Sequence, residues 1–393
     1  SPTFNIMNEY QIKNLTINHF DLFRIEKTKD LQNTGLFNDY KGKLTLVEWP
    51  EKIMPKPQHR YELFFEYNKN TNKRLLRQIE KLKDKKADLV EAVYKGAKDG
   101  MSTVTLPKVK APTKSKTKGQ EICVPLLSDI QLAKNTETYN SKIASKRVIK
   151  YAEKIVNLSQ LQGANHTIKK CVVLALGDIV EGELIFPGQA HEIDSSLYKQ
   201  VTVDGPAMLY EFFSILLSHF EEVECYWVIG NHGALGGRSR RDYNPETNAD
   251  RMLGKIMETM FKNEPRMKWH IPEKKWYTIA NLGVKAKFFC FHGDNIRGSM
   301  GLPFYGYNKK ILGWKALASA ELMEDFTHAV CGHYHTPTSL YLNDVRVWVN
   351  GSTESHNGYA LEQLAAMGRP SQFCLFVKPS KGVTAEYLVN LEE

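Results

Sequence analysis

Cys171-Val172-Val173-Leu174-Ala175-Leu176-Gly177-Asp178-Ile179-Val180-Glu181 is an apolar run broken by a glycine and followed by two carboxylates. The unbroken apolar run reads as a central strand covered on both faces. Gly177 permits a sharp turn that exposes Asp178 just past the strand end. The same grammar recurs on both sides. Cys123-Val124-Pro125-Leu126-Leu127 leads into Ser128-Asp129-Ile130-Gln131, and Tyr226-Trp227-Val228-Ile229 into Gly230-Asn231-His232-Gly233. Lys287-Phe288-Phe289-Cys290-Phe291 leads into His292-Gly293-Asp294, and Gly332-His333-Tyr334-His335 closes the series. From Glu121 onward apolar strands alternate with longer mixed stretches, the signature of an α/β fold. Such folds collect their sites beyond the carboxyl ends of strands, so the five blocks are expected to meet in one crevice.

The side chains at these ends are carboxylate, imidazole and carboxamide. Hard oxygen and borderline nitrogen donors suit Mn²⁺ first, with Fe, Zn²⁺ or Mg²⁺ as alternatives. Hydrolysis of a phosphoester at neutral pH needs a nucleophile stronger than water and neutralisation of phosphate charge, and two divalent cations about 3.5–4 Å apart supply both. A carboxylate can bridge such a pair. A lone Gly-Asp or Gly-His after a strand is usually only a turn; the weight here comes from five blocks in one order.

Those blocks resemble the calcineurin-like metallophosphoesterase superfamily, with its D-x-H, G-D-x-x-[DE], G-N-H-[DE], H-G and G-H-x-H pattern, over residues 120–393. The resemblance implies a four-layer α/β/β/α sandwich. It implies one metal held by Asp129, Gln131, Asp178 and His335, and a second held by Asp178, Asn231, His292 and His333. Asp178 would be the bridge, and His232 the general acid that protonates the leaving oxygen. The chain departs from the pattern twice. Gln131 stands where the family has His, a weaker ligand. Gly233 stands where the family has an acid that helps orient the preceding His. The motif order is also similar to phosphoesterases carried by bacteriophages and, more distantly, to SbcD-type DNA nucleases.

Other local features lean towards a phosphodiester of nucleic acid or a nucleotide. Arg238, Arg240 and Arg241 follow His232 and are placed to hold phosphate oxygens. Asn295 and Arg297 follow His292, and Tyr305, Tyr307 and Trp314 are candidates for stacking on bases. His191 is expected on a rim loop as a substrate contact, with His356 similar. The expectation is therefore a metal-dependent phosphodiesterase, the alternative being a binding scaffold on the same fold, as in the retromer subunit.

Ahead of this region lie two others, residues 1–76 and residues 77–119. Ser1-Pro2-Thr3-Phe4, His19-Phe20-Asp21-Leu22-Phe23-Arg24 and Val47-Glu48-Trp49-Pro50-Glu51 resemble the C-terminal half of TsaE, the P-loop ATPase of tRNA threonylcarbamoyladenosine synthesis. The resemblance implies a Mg²⁺-shell role for Asp21 and a hydrolytic role for Glu48. No GxxxxGK[ST] phosphate loop occurs in these 393 residues, so nucleotide phosphates lack their cradle. The chain opens on Ser1, which leaves a fragment of a longer TsaE-type fusion as a further alternative. Over residues 73–99 Leu75, Ile79, Leu82, Leu89 and Val93 space as an amphipathic helix, and residues 101–119 read as a Lys-, Thr- and Pro-rich linker. Residues 71–120 hold 14 Lys/Arg against 5 Asp/Glu, as much as the whole formal charge of +9. Nucleic-acid contact through residues 73–118 is the partner this suggests. Six Cys without CxxC spacing and no visible signal peptide fit a reducing, cytoplasmic setting.

Overall fold

A computed structural model of the chain describes residues 7–12, 15–21, 43–48, 53, 92–102, 106–113, 121–164, 168–183, 185–186, 188–235, 245–296, 302–354 and 369–392. It divides into two compact units, residues 1–77 and 78–393.

In the first unit β1 (Met7–Ile12) and β2 (Leu15–Asp21) form an antiparallel pair, and β3 (Lys43–Glu48) lies parallel to β2. That register sets Asp21 beside Glu48 at the carboxyl ends of two parallel strands. The Glu48 carboxylate lies 2.9 Å from His19 Nε2.

The second unit runs in chain order through β4 (Ile122–Leu127), α1 (Ser141–Gln162), β5 (Lys170–Leu176), α2 (Gly205–His219), β6 (Glu222–Val228), α3 (Ala249–Met260) and β7 (Met267–His270). It continues through β8 (Tyr277–Asn281), β9 (Lys287–Phe291), α4 (Phe304–Ser319), β10 (His328–Cys331), β11 (Thr338–Leu342), β12 (Val345–Val349), β13 (Ser371–Lys378) and β14 (Gly382–Asn390). One sheet has the order β14-β13-β4-β5-β6-β7, with β4 to β7 parallel; the other is β11-β12-β10-β9-β8, with β12, β10 and β9 parallel.

The apolar runs make this arrangement because alternate residues have different covers. Val124, Leu126, Val172, Leu174 and Leu176 face the other sheet and meet Phe288, Cys290, Val330 and Trp348. Cys123, Val173, Cys225 and Trp227 point the opposite way, into Val148 of α1, Phe212 and Phe213 of α2 and Leu253 of α3. Phe289, Phe291, Ala329 and Val347 are covered by Tyr307 and Ile311 of α4. The result is the four-layer α/β/β/α sandwich. Asn140 and Asn248 cap α1 and α3, each side chain accepting backbone N–H bonds of the first turn.

Part of the basic region is built into this unit. Residues 92–102 are helical, and Ala97, Met101 and Val109 pack against the helix-side core. Tyr210 donates to the Pro107 carbonyl at 3.2 Å, and Arg266 to that of Val109 at 3.5 Å. Lys81, Lys83, Lys85, Lys86 and the Lys114–Lys118 run lie outside the described residues. Among the described residues no helix is long and apolar enough to cross a membrane.

Candidate metal centre

Five strands from two sheets end at the same end of the sandwich, and the turns that follow them are unusual. Asp129 (φ 51°), Gln131 (47°), Ala133 (87°), Asp178 (52°), His333 (74°) and His335 (55°) all have left-handed backbone. Each is a residue type that pays for that conformation, and the cost is held in place by surrounding contacts. Two glycines allow the turns to touch. A Cβ on Gly230 would stand 2.0 Å from Asp178 Oδ1, and one on Gly332 2.2 Å from Asp129 Oδ2.

Asp178 is at the centre and buried. Its Oδ1 accepts the His232 backbone N–H at 2.8 Å, and its Oδ2 lies 3.0 Å from His292 Nε2. The ligand atoms of Asp178, His292 and His333 all lie within 4.8 Å of one another. His292 Nδ1 faces the Leu176 carbonyl at 2.8 Å and so carries a hydrogen, which leaves Nε2 facing both Asp178 and the Asn231 Oδ1 at 3.1 Å. A ring nitrogen set against two acceptor oxygens calls for a cation between them. In the protein alone a proton serves: burial works to lower the His292 pKa, but the charge of Asp178 outweighs it and pushes the value up to about 10. The same opposition, burial against the charges of His292 and His232, leaves Asp178 well below the usual carboxylate range. The donor set is therefore of a kind that fits a divalent ion.

The second group lies beside it. The His335 Nε2 is 3.4 Å from Asp129 Oδ1, and its Nδ1 is 3.5 Å from the buried Glu354. Asp129 also accepts the His333 backbone N–H, which ties the β4 turn to the β10 turn. Gln131 lies in the same group. Its amide nitrogen faces His335 Nε2 at 3.3 Å, while its oxygen accepts from Lys134 Nζ at 3.1 Å.

His232 is held without an acid at position 233. Its Nδ1 meets the Glu181 backbone carbonyl at 3.1 Å and lies 3.2 Å from Glu181 Oε2, and its Nε2 is 4.0 Å from Asp178 Oδ2. Burial lowers the pKa of His232, while Asp178 and Glu181 raise it further, to about 9. Glu181 is itself positioned by Gln189, which donates to its carboxylate at 3.0 Å. Asp250, on the first turn of α3, holds the scaffold. Its Oδ2 accepts from the backbone N–H groups of Asp178 (2.9 Å) and Gly230 (2.8 Å), and its Oδ1 from those of Ile179 (3.0 Å) and Val180 (3.2 Å). Sequence reasoning missed the parts played by Glu181, Asp250, Lys134 and Glu354. Only Glu181 carried a signal, as the last residue of the Gly177–Glu181 block.

The expected substrate contacts fare unevenly. Arg238, Arg240, Arg241, Arg297 and His356 lie outside the described residues. His191 is exposed at the end of a short 3-10 helix, Gln189–His191. Asn295 is part-buried, with Oδ1 lacking a hydrogen-bond partner. Tyr307 is wholly buried and cannot stack on a base; its hydroxyl meets the Cys331 thiol at 3.2 Å. Trp314 packs among Trp276, Phe289 and Phe291. Both were drawn inward because α4 needs large side chains to cover its sheet. Tyr305, 76% exposed, and its neighbour Phe304, 56% exposed, remain open at the start of α4.

Comparison with known proteins gives matches of two kinds. Residues 1–77 match the family model for threonylcarbamoyl adenosine biosynthesis protein TsaE. Over 53 residues the chain is 40% identical to a TsaE protein of Rickettsia felis, covering 14% of this chain and 31% of that protein. It is 42% identical to one from Rickettsia bellii, covering 14% and 37%. The chain thus spans about a third of the length of these curated relatives. Among solved structures, an archaeal phosphodiesterase aligns with 68% of this chain and 99% of its own at 12% identity and a TM-score of 0.31. A zinc complex of Vps29 from Entamoeba histolytica aligns with 69% and 99% at 12% identity and 0.31. A hypothetical protein of Pyrococcus horikoshii aligns with 69% and 88% at 14% identity and 0.34. The layered sandwich itself stands on the strand order and packing described above.

Proposed function

We propose that the chain is a divalent-metal-dependent phosphodiesterase acting on nucleic acid or nucleotides. The observation that carries this reading is the position of Asp178. One buried carboxylate touches His292, lies near His232, and is tied through the backbone to the Asn231-His232 turn. Asp178, Asn231, His292 and His333 would hold one ion, and Asp129, Asp178 and His335, with Gln131 beside them, the other. Bound divalent ions, Mn²⁺ in our reading, would neutralise phosphate charge and acidify water.

The chain's own residues do the rest. Glu181 holds His232 Nδ1, so Nε2 is the nitrogen turned to the crevice, and the neighbouring Glu181 charge favours the protonated ring. It is therefore the donor to the leaving oxygen. The turns of β5 and β6 are locked together by Asp250, so the acid and the central carboxylate keep their spacing through turnover. Support for a polyanionic substrate comes from Arg238, Arg240 and Arg241 next to His232 in sequence, and from exposed Lys95, Lys98, Lys108 and Lys110. The test is hydrolysis of bis-p-nitrophenyl phosphate against p-nitrophenyl phosphate, with and without Mn²⁺. Mn²⁺-dependent diester cleavage that disappears in His232→Ala supports the reading. No cleavage of either ester with any divalent metal favours the scaffold alternative.

The TsaE match favours one second reading, that the chain serves tRNA threonylcarbamoyladenosine formation as part of a TsaE-type fusion. Asp21 and Glu48, adjacent across β2 and β3, are the residues it would use. Titration of the protein with a fluorescent ATP analogue and Mg²⁺ tests it; absence of binding removes an ATPase role for this chain.

A further inference from the structure

Lys134 lies inside the crevice with 12% of its side chain exposed, its Nζ 2.8 Å from Glu354 Oε1 and 3.1 Å from Gln131 Oε1. Gln131 has one atom suited to a hard cation, its amide oxygen. Lys134 already takes that atom. Turning the amide over would set its NH₂ against the ammonium, donor to donor, so the contact with Lys134 disfavours the reverse orientation. The nitrogen left facing His335 cannot ligate a metal. Glu354, the other partner of Lys134, is 3% exposed and braces His335 Nδ1 at 3.5 Å.

The two halves of the centre therefore differ in kind. Asp178, Asn231 and His292 are engaged by one another, by His232 and by the Leu176 carbonyl. Asp129 and His335 share their surroundings with a resident ammonium that also occupies the amide oxygen of Gln131. A divalent ion arriving there meets like charge across a few ångströms of poorly solvated space and finds one ligand fewer.

We infer that Lys134 makes the two metal positions unequal: the Asp178–Asn231–His292–His333 position fills first, and the Asp129–His335 position binds a divalent cation only weakly, in competition with the Lys134 ammonium. This rests on the metal-centre reading given above but needs no substrate for its test. The metal-free full chain is titrated with Mn²⁺ and followed by calorimetry and by the paramagnetic resonance of bound Mn²⁺. Wild type should show two classes of site separated by about tenfold or more in affinity. Lys134→Met frees the Gln131 oxygen and leaves Glu354 uncompensated, so the weaker class should tighten by about tenfold while the stronger moves by less than about threefold. Gln131→His, which supplies imidazole without removing the ammonium, should also tighten the weaker class. Lys134→Gln keeps a donor for Glu354 and answers the same question if Lys134→Met does not fold. Equal affinities in wild type, or a weaker class unmoved by loss of the ammonium, would overturn the role of Lys134. A folded wild-type chain that binds no Mn²⁺ would instead overturn the metal centre itself.

Discussion

His232 Nδ1 hydrogen-bonds the Glu181 backbone carbonyl at 3.1 Å and lies 3.2 Å from Glu181 Oε2, so the residue three positions after Asp178 both holds the imidazole that follows Asn231 and sets a charge beside it. Glu181 raises the pKa of His232 alongside Asp178. Glu181→Gln keeps the shape and removes the charge. Without the Glu181 charge the pKa of His232 should fall, so the protonated acid is lost at lower pH. The alkaline limb of the kcat/KM profile should move to lower pH, with kcat at neutral pH down by about tenfold to a hundredfold. A profile that keeps its alkaline limb in place would deny Glu181 this role.

Asp178→Asn should abolish diester hydrolysis while the fold persists. The asparagine oxygen can still accept the His232 backbone N–H, but the charge that faces His292 is gone. Far-UV circular dichroism alongside metal analysis separates the two effects; full activity in this variant would sink the mechanism.

Asp250 accepts two backbone N–H bonds on each carboxylate oxygen. Asp250→Asn sets an NH₂ group against one of those pairs. Two buried donors then lose their partner, at a cost of about 2–4 kcal/mol. Denaturant unfolding measures it, and the Asp178 and Gly230 turns should lose metal affinity with it.

His328, stacked on Phe288 at 4.9 Å, gives the sandwich an acid sensitivity of its own. Burial, then the nearby Arg346 charge, lowers its pKa from 6.5 to about 4. Between those values the unfolded chain binds more protons than the folded one, so stability falls as pH drops from 6.5 to 4, by about 3 kcal/mol. His328→Gln should flatten this part of the stability profile in chemical denaturation; an unchanged slope would assign the loss to other groups.

The layers were legible because β4, β5, β6, β9 and β10 bury both faces, which forces the near-continuous apolar runs that the sequence displays. The residues at their ends were legible for the same reason: a polar group just past such a run is conspicuous. Asp250 was not, since it sits on a helix 72 residues from Asp178 and looks like an ordinary acidic first-turn residue. Lys134 and Glu354 meet through the fold, and neither stands at a strand end. Tyr307 and Trp314 misled because an aromatic residue near a site reads alike whether it faces solvent or covers a sheet. Here α4 was short of cover for Phe289 and Phe291.

Ala97, Met101 and Val109 set where the second unit can be cut for expression. A shortened chain starting at Glu121, where the strand pattern begins, would strip these three side chains from the helical layer and orphan the donors of Tyr210 and Arg266 that meet the Pro107 and Val109 carbonyls. The bared apolar strip should make that version self-associate in size-exclusion chromatography. One that retains residues from 92 onward should elute as a smaller species.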